Sequence, residues 1–276
     1  MPFVSTRFGE VFYESQGEGV PVIFLHATLH DHHDFDTVVE KLAKKYHTIA
    51  VDWPWHGKSK GLTTTERLSA MAIADVLEDI VPALKLPPAF FIGNSVGGFA
   101  AARLAITHPE YVRGLVLVNN GGFLHLALLG RITCRIFGTP FLARFLMPLW
   151  IPQYMVSQTP EDKAIEQRTQ ERARTQSGAA VVAAIWRSFP DPGHDLRSQG
   201  SQIKAPTLIT WGSKDFAFGS EAKYTMQKCI PGSQLKVLET GHVVFSSKPD
   251  EFLAAVEPFF QSVLESSEAM NSVAQS

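Results

Sequence analysis

A chain of 276 residues, 45% hydrophobic and 19% charged, is long enough to bury one large apolar core with an inserted lobe. Twenty-five Lys and Arg against 27 Asp and Glu give a formal charge of −2, which argues against a nucleic-acid surface; Cys134 and Cys229, the two cysteines, are too isolated for a disulfide framework or a thiolate zinc site. With no run of about 18 apolar residues and no signal-peptide pattern at the N-terminus, the expectation is a soluble, cytoplasmic protein with no membrane and no nucleic-acid partner.

The opening segment, with Gly9 between two short extended runs, predicts an antiparallel hairpin. Residues 20–26 (VPVIFLH), 47–52 (HTIAVD), 89–93 (AFFIG) and 112–118 (VRGLVLV) are β-branched or aromatic with few charges, as strands buried on both faces are. Helices are expected between them. Phe35, Val38, Val39 and Leu42 share one helical face, and Leu68, Met71, Ala72, Leu77, Ile80 and Leu84 sustain another. A third helix starts near Val96 and stops at His108-Pro109, because proline disfavours helix in the residue before it. Such alternation predicts an α/β fold, a mostly parallel sheet with helices on both faces.

The rhythm changes at about Gly121. Residues 122–200 hold no convincing strand, but two apolar, arginine-dotted stretches, a polar helix (PEDKAIEQRTQERAR) and a further apolar segment. They predict a helical cap inserted into the core. Residues 207–211 (TLITW), a helix around 221–229 and residues 235–238 (LKVL) resume the α/β pattern. A last helix carries Phe252, Val256, Phe259, Phe260 and Val263 on one face. Residues 1–121 and 201–265 are therefore expected to form the core, and 266–276, small and polar, a flexible tail.

Gly93-Asn94-Ser95-Val96-Gly97-Gly98 sits where a buried strand meets a helix. A serine on so tight a turn needs small neighbours on both sides, and its hydroxyl projects above the sheet edge beside the helix N-terminus, which favours a developing anion. A capping serine in a glycine-rich turn would not need glycine on both sides. Serine also needs a base held by an acid. His242 follows the last strand and Asp215 the one before it, so both lie at the same sheet edge, and the order Ser95, Asp215, His242 is that of nucleophile-elbow enzymes. The other place for the acid, after the strand that follows the elbow helix, reads Asn119-Asn120 and offers no carboxylate.

His26, His30, His32 and His33 cluster with Asp31, Asp34 and Asp36, yet show no ligand spacing such as HExxH. His26 apart, they read as caps and solvated groups in an exposed loop. Neither a metal nor a cofactor is expected.

These motifs resemble those of the α/β-hydrolase fold superfamily, in its serine-nucleophile branch with a helical cap inserted after the sixth strand, over nearly the whole chain. Leu25-His26-Ala27-Thr28 resembles the family's oxyanion-loop segment, with Ala27 where glycine is usual. Asp52-Trp53-Pro54-Trp55-His56-Gly57-Lys58-Ser59 resembles its D-x-x-G-H-G-x-S stretch in an unusually bulky version. The resemblance implies an eight-stranded sheet, a Ser95–Asp215–His242 triad and an oxyanion hole of the backbone N–H groups of Val96 and Thr28. Ala27, Asn94, Trp150, Trp186 and Val243 are the candidate substrate-binding residues, in a pocket whose aromatic cap suits an apolar or aromatic small molecule.

The expected activity is cofactor-independent hydrolysis of an ester-type bond through an acyl-enzyme, by a monomer or homodimer. Haloalkane dehalogenases and epoxide hydrolases of this fold use an aspartate nucleophile and are set aside. An alternative is C–C bond hydrolysis of the dienoate-cleaving type, whose GNSxGG elbow the chain resembles. Those enzymes, however, carry extra oxyanion-loop glycines and a tryptophan where Val243 stands. A lyase, a transferase or a low-turnover ligand receptor on the same three residues is the remaining alternative.

Overall fold

The structure, a computed structural model, describes residues 2–61, 64, 65, 67–217, 219 and 221–274. β1 (Phe3–Thr6) and β2 (Gly9–Gln16) form the opening hairpin, turning at Gly9, whose φ of 115° disfavours any side chain. There follow β3 (Pro21–Leu25), β4 (His47–Val51), the two-residue β5 (Lys60–Gly61), β6 (Ala89–Asn94), β7 (Val112–Val118), β8 (Thr207–Gly212) and β9 (Gln234–Leu238). They make one nine-stranded sheet in the order β1-β2-β4-β3-β6-β7-β8-β9, with β5 paired to β2. β2 runs antiparallel to β1, β4 and β5, while the pairings from β4 through β9 are parallel. The sheet thus has the eight expected strands and one more, β5, too short to leave a hydrophobic period.

Central strands covered on both faces need apolar residues at both alternations, and β3, β6 and β8 are buried at every position. One face, with Ile23, Leu25, Phe91, Leu115 and Ile209, joins a core with α2 (Ala70–Leu84) and α3 (Val96–Thr107). The other, with Val22, Phe24, Phe90, Ile92 and Val116, packs with α1 (Asp36–Leu42) and the last helix. Ser69 starts α2 by accepting from the Ala72 amide at 2.9 Å.

Between β7 and β8 the described residues form helices only: α4 (Leu128–Phe137), α5 (Pro140–Met155), α6 (Pro160–Arg174), α7 (Gln176–Ser188) and two short 3-10 turns. The core resumes with α8 (Ala222–Cys229), α9 (Val244–Ser247) and α10 (Pro249–Ala274). α10 continues to Ala274, so residues 266–274 of the expected tail are helical, and 275–276 lie outside the described residues. No glycine or proline follows Pro258, so nothing stops the helix before Ala274. Among the described residues no helix is long and apolar enough to cross a membrane.

Parallel strands bring their C-terminal ends to one edge. Ser95 follows β6, Asn119 follows β7, Asp215 lies just past β8, and His242 just past β9. Ligands of open α/β sheets bind outside that edge.

Candidate active site

Ser95 stands between β6 and α3 at φ 56° and ψ −117°, a conformation that side chains rarely adopt. Its neighbours show why glycine flanks it. A Cβ on Gly97 would lie 2.3 Å from the Leu25 carbonyl oxygen, one on Gly93 would lie 2.6 Å from Gly98 Cα, and one on Gly98 would lie 2.4 Å from Asn120 Cβ. The Ser95 amide donates to the Val118 carbonyl at 3.0 Å, which ties the turn to β7. Val96 opens α3, so its N–H is among the four that a helix leaves unsatisfied.

His242 is nearly buried, and its Nδ1 lies 2.6 Å from Asp215 Oδ2. Its amide donates to the Tyr154 carbonyl at 3.0 Å, and its ring meets the Tyr154 ring edge to face at 5.2 Å. Asp215 Oδ1 accepts from the Ala217 amide at 3.0 Å, and its Oδ2 accepts a second bond, from Asn119 Nδ2 at 2.6 Å. Asn119 was noted in the sequence only for lacking a carboxylate. It is the donor that sequence reasoning missed, and its position after β7 was the only signal.

Ser95, Val96 and His242 open on a cavity of about 600 Å³ shared with the helical insertion. Ala27, Thr28, Trp150 and Trp186 line it too. Asn94 and Val243, expected as substrate contacts, are not among its lining residues. Asn94 Nδ2 donates to the Val118 and His242 carbonyls at 3.1 Å each, because alternation along β6 turns its side chain into the core, and Val243 is fully buried in the core behind His242.

The described lining residues include no Asp, Glu, Lys or Arg. His194, unnoticed in the sequence, lines the cavity between the rings of Phe99 and Phe189. Burial pulls its pKa down to about 4, so it is neutral. Cys134 also lines the cavity, and burial pushes its thiol up to about 11, which leaves it protonated and inert.

Contrary to the expectation of an exposed loop, most of the histidine-rich segment is buried. His26, His30, Asp31, His32 and Asp34 are all buried. His26 Nδ1 donates to the Ala27 carbonyl at 2.7 Å and its Nε2 accepts from the Trp53 amide at 3.0 Å, and burial lowers its pKa to about 3. Such a neutral ring joins the Ala27 turn to the Trp53 segment. His32 is held by Asp52, and His30 by Asp34, with His30 Nε2 3.4 Å from the Tyr154 hydroxyl. Arg172 and Arg168 of α6 reach Asp31 and Asp34. The loop therefore clasps the insertion to the core. His33 and Asp36 alone are exposed, paired with each other. Among the described residues no three His, Cys, Asp or Glu side chains are grouped to hold a metal ion.

The second motif is structural as well. Asp52 accepts from the amides of His32 and Lys58, and Ser59 Oγ bridges the Asp52 carbonyl to the Phe12 amide. Trp55 has φ 64° at the place where the family's pattern has glycine, and Trp53 is wholly buried. Neither lines the cavity among the described residues.

Comparison with known proteins bears on the fold and the family. The alpha/beta hydrolase fold family matches residues 20–141. The chain is 31% identical over 207 residues to a 2-hydroxy-6-oxononadienedioate/2-hydroxy-6-oxononatrienedioate hydrolase of Burkholderia vietnamiensis, covering 71% of this chain and 70% of that one. It is 25% identical over 275 residues to a pimeloyl-[acyl-carrier protein] methyl ester esterase of Nitrosomonas europaea, covering 90% and 98%. Among solved structures, an N-acyl homoserine lactone degrading enzyme superposes with a TM-score of 0.79 at 25% identity, over 94% of this chain and 100% of that one. With this sheet, this elbow and these relatives, the chain belongs to the α/β-hydrolase superfamily.

Proposed function

We propose that the protein hydrolyses an ester-type bond of an apolar or aromatic small molecule by a serine mechanism. One observation carries the reading: a strained Ser95 opens on the same apolar cavity as His242, whose Nδ1 is bonded to the Asp215 carboxylate. Ser95 Oγ attacks the acyl carbon while His242 Nε2 takes its proton. Asp215 keeps the proton-bearing Nδ1 turned toward itself and stabilises the imidazolium. The N–H groups of Val96 and Thr28 receive the tetrahedral oxyanion, a contribution of about 3 kcal/mol per donor. His242 then protonates the leaving alcohol. Water, deprotonated by the same ring, releases the acid and restores Ser95.

The relatives that hydrolyse a carbon–carbon bond, together with the GNSVGG elbow, favour a second reading, dienoate cleavage. The substrate in their name is a dicarboxylate. The cavity's described lining offers it no guanidinium or ammonium, and a buried carboxylate without one is costly. An uncharged ester fits better.

The test is a p-nitrophenyl ester series together with a fluorophosphonate probe. Ser95 should be labelled, and kcat/KM should climb by up to about fourfold per added methylene until the cavity is filled, following roughly 0.8 kcal/mol per buried CH₂. Labelling of Ser95 without ester turnover, with a dienedioate turned over instead, would transfer the assignment to the second reading, and absence of labelling would overturn the serine mechanism.

A further inference from the structure

α5 is apolar on both sides. Ala143, Met147, Ile151 and Tyr154 face inward and are buried, while Phe141, Phe145 and Leu149, at successive fourth positions, point outward at 72%, 59% and 68% exposure. A helix that is apolar all round is normally buried all round. On neighbouring α4, Leu128, Leu129 and Ile132 are exposed too, Leu128 and Leu129 by about three quarters. The Phe141 and Phe145 rings touch edge to face at 5.1 Å. The patch also runs into the cavity rim, since the exposed Leu129 and Phe216 are lining residues. Exposed apolar side chains gathered on two neighbouring helices mark an interaction face.

Charge narrows what covers it. From Gly121 to Thr159 the chain has three arginines and no Asp, Glu or Lys, although the whole protein is net negative. Arg131, Arg135 and Arg144 are exposed, and no ion pair engages them among the described residues. Arg131 and Arg144 spend only Nε, on the carbonyls of Leu126 and Arg174. A second copy of this chain would bring identical patches face to face and set these arginines against each other. Phosphate-bearing lipid would pair with them while its acyl region takes the phenylalanines and leucines, as at interfacial amphipathic helices.

We infer that α4 and α5 form a docking face for an anionic lipid bilayer, with the cavity rim at the lipid surface. This departs from the expectation of no membrane partner, which rested on the lack of a spanning run and of a signal-peptide pattern and not on surface character.

The test is flotation of the full chain with vesicles of equal phosphatidylglycerol and phosphatidylcholine, against vesicles of phosphatidylcholine alone. Binding should be at least about tenfold stronger to the anionic vesicles and should weaken as salt rises. Phe141→Ser/Phe145→Ser/Leu149→Ser should lose it. Arg131→Glu/Arg135→Glu/Arg144→Glu should lose it as well, at roughly fivefold or more per arginine. All six side chains are exposed, so thermal unfolding should match the wild type, and the vesicle result stands whatever bond the enzyme cleaves. Failure to float with anionic vesicles, flotation undiminished in both triple variants, or a dimer in light scattering that the serine variant dissociates without any lipid binding would each overturn the inference.

Discussion

Asn119 and His242 bond to the same oxygen: Asp215 Oδ2 lies 2.6 Å from Asn119 Nδ2 and 2.6 Å from His242 Nδ1. The other end of the Asn119 carboxamide accepts from the Gly212 amide at 2.8 Å, so one side chain fixes both the carboxylate and the turn that carries it. Asn119 itself has φ 41°, which asparagine tolerates better than most residues. In the mechanism proposed above it is a positioning residue, acting through Asp215. Hydrogen bonds to charged groups are worth about 1.5–3 kcal/mol, so Asn119→Ala should lower kcat by roughly tenfold to hundredfold with KM little changed. An Asn119→Ala enzyme with kcat within about twofold of wild type would remove it from the mechanism.

The strain at Ser95 makes a separate prediction. Holding a side chain in so sparsely populated a conformation costs on the order of 1–3 kcal/mol. Ser95→Ala keeps that cost and removes only the hydroxyl, whereas Ser95→Gly removes both. Each should abolish turnover, but Ser95→Gly should unfold at a higher denaturant concentration than Ser95→Ala, by about 1 kcal/mol. Equal midpoints would mean that the elbow stores no strain.

What the sequence made legible is what its local patterns encode. Strands buried on both faces announce themselves as short apolar runs, and the Ser95 elbow by glycines whose absent Cβ atoms would strike backbone. Partnerships across long separations left no such trace. His30, Asp31, His32 and Asp34 read as a solvated loop because Arg168 and Arg172, which neutralise the aspartates, come some 140 residues later. Asn119 was read as a missing acid, since nothing local says that its amide would meet Asp215. The α5 segment shows in the sequence only as an apolar stretch of the expected cap, because composition does not tell which side of it stays uncovered.

The Arg172 clasp can be tested for stability and catalysis together. Burial pushes the Asp31 carboxyl up, and the Arg172 guanidinium outweighs it, holding the group well below the usual carboxylate range. Arg172 also donates to the Leu29 carbonyl at 2.9 Å, next to Ala27 and Thr28. Arg172→Ala leaves the buried Asp31 with only the His33 amide at 3.0 Å and the more distant Arg168 at 3.9 Å. It should cost about 3 kcal/mol, the low end for such pairs because the guanidinium is partly exposed, and should lower kcat as the Thr28 turn loosens. Adding Asp31→Asn should recover much of the stability. A double-mutant cycle with no coupling would show that the clasp contributes nothing.

The buried histidines set how the protein responds to acid. His26, His56 and His194 are held neutral by burial, with pKa values of about 3, 4 and 4, against about 6.5 in an unfolded chain. Below about pH 6.5 the unfolded chain takes up protons that these rings refuse, so stability falls with pH until the folded values are reached. By about pH 5 each ring costs roughly 2 kcal/mol, and the three together at most about 6 kcal/mol. His32 works in the opposite direction. Burial lowers its pKa, but the hydrogen bond and charge of Asp52 raise it more, so its contribution is present in acid and fades as pH rises. Asp31 and Asp52, both lowered, weaken the fold only as pH falls below the ordinary carboxylate range, outside this window. Urea unfolding at about pH 7.5 and about pH 5 should therefore show a loss of several kcal/mol, with uptake of between two and three protons on unfolding. His194→Asn, which removes one of the three rings, should flatten the slope by about one proton. Stability that is level across that range would mean that these imidazoles are not buried as neutral groups.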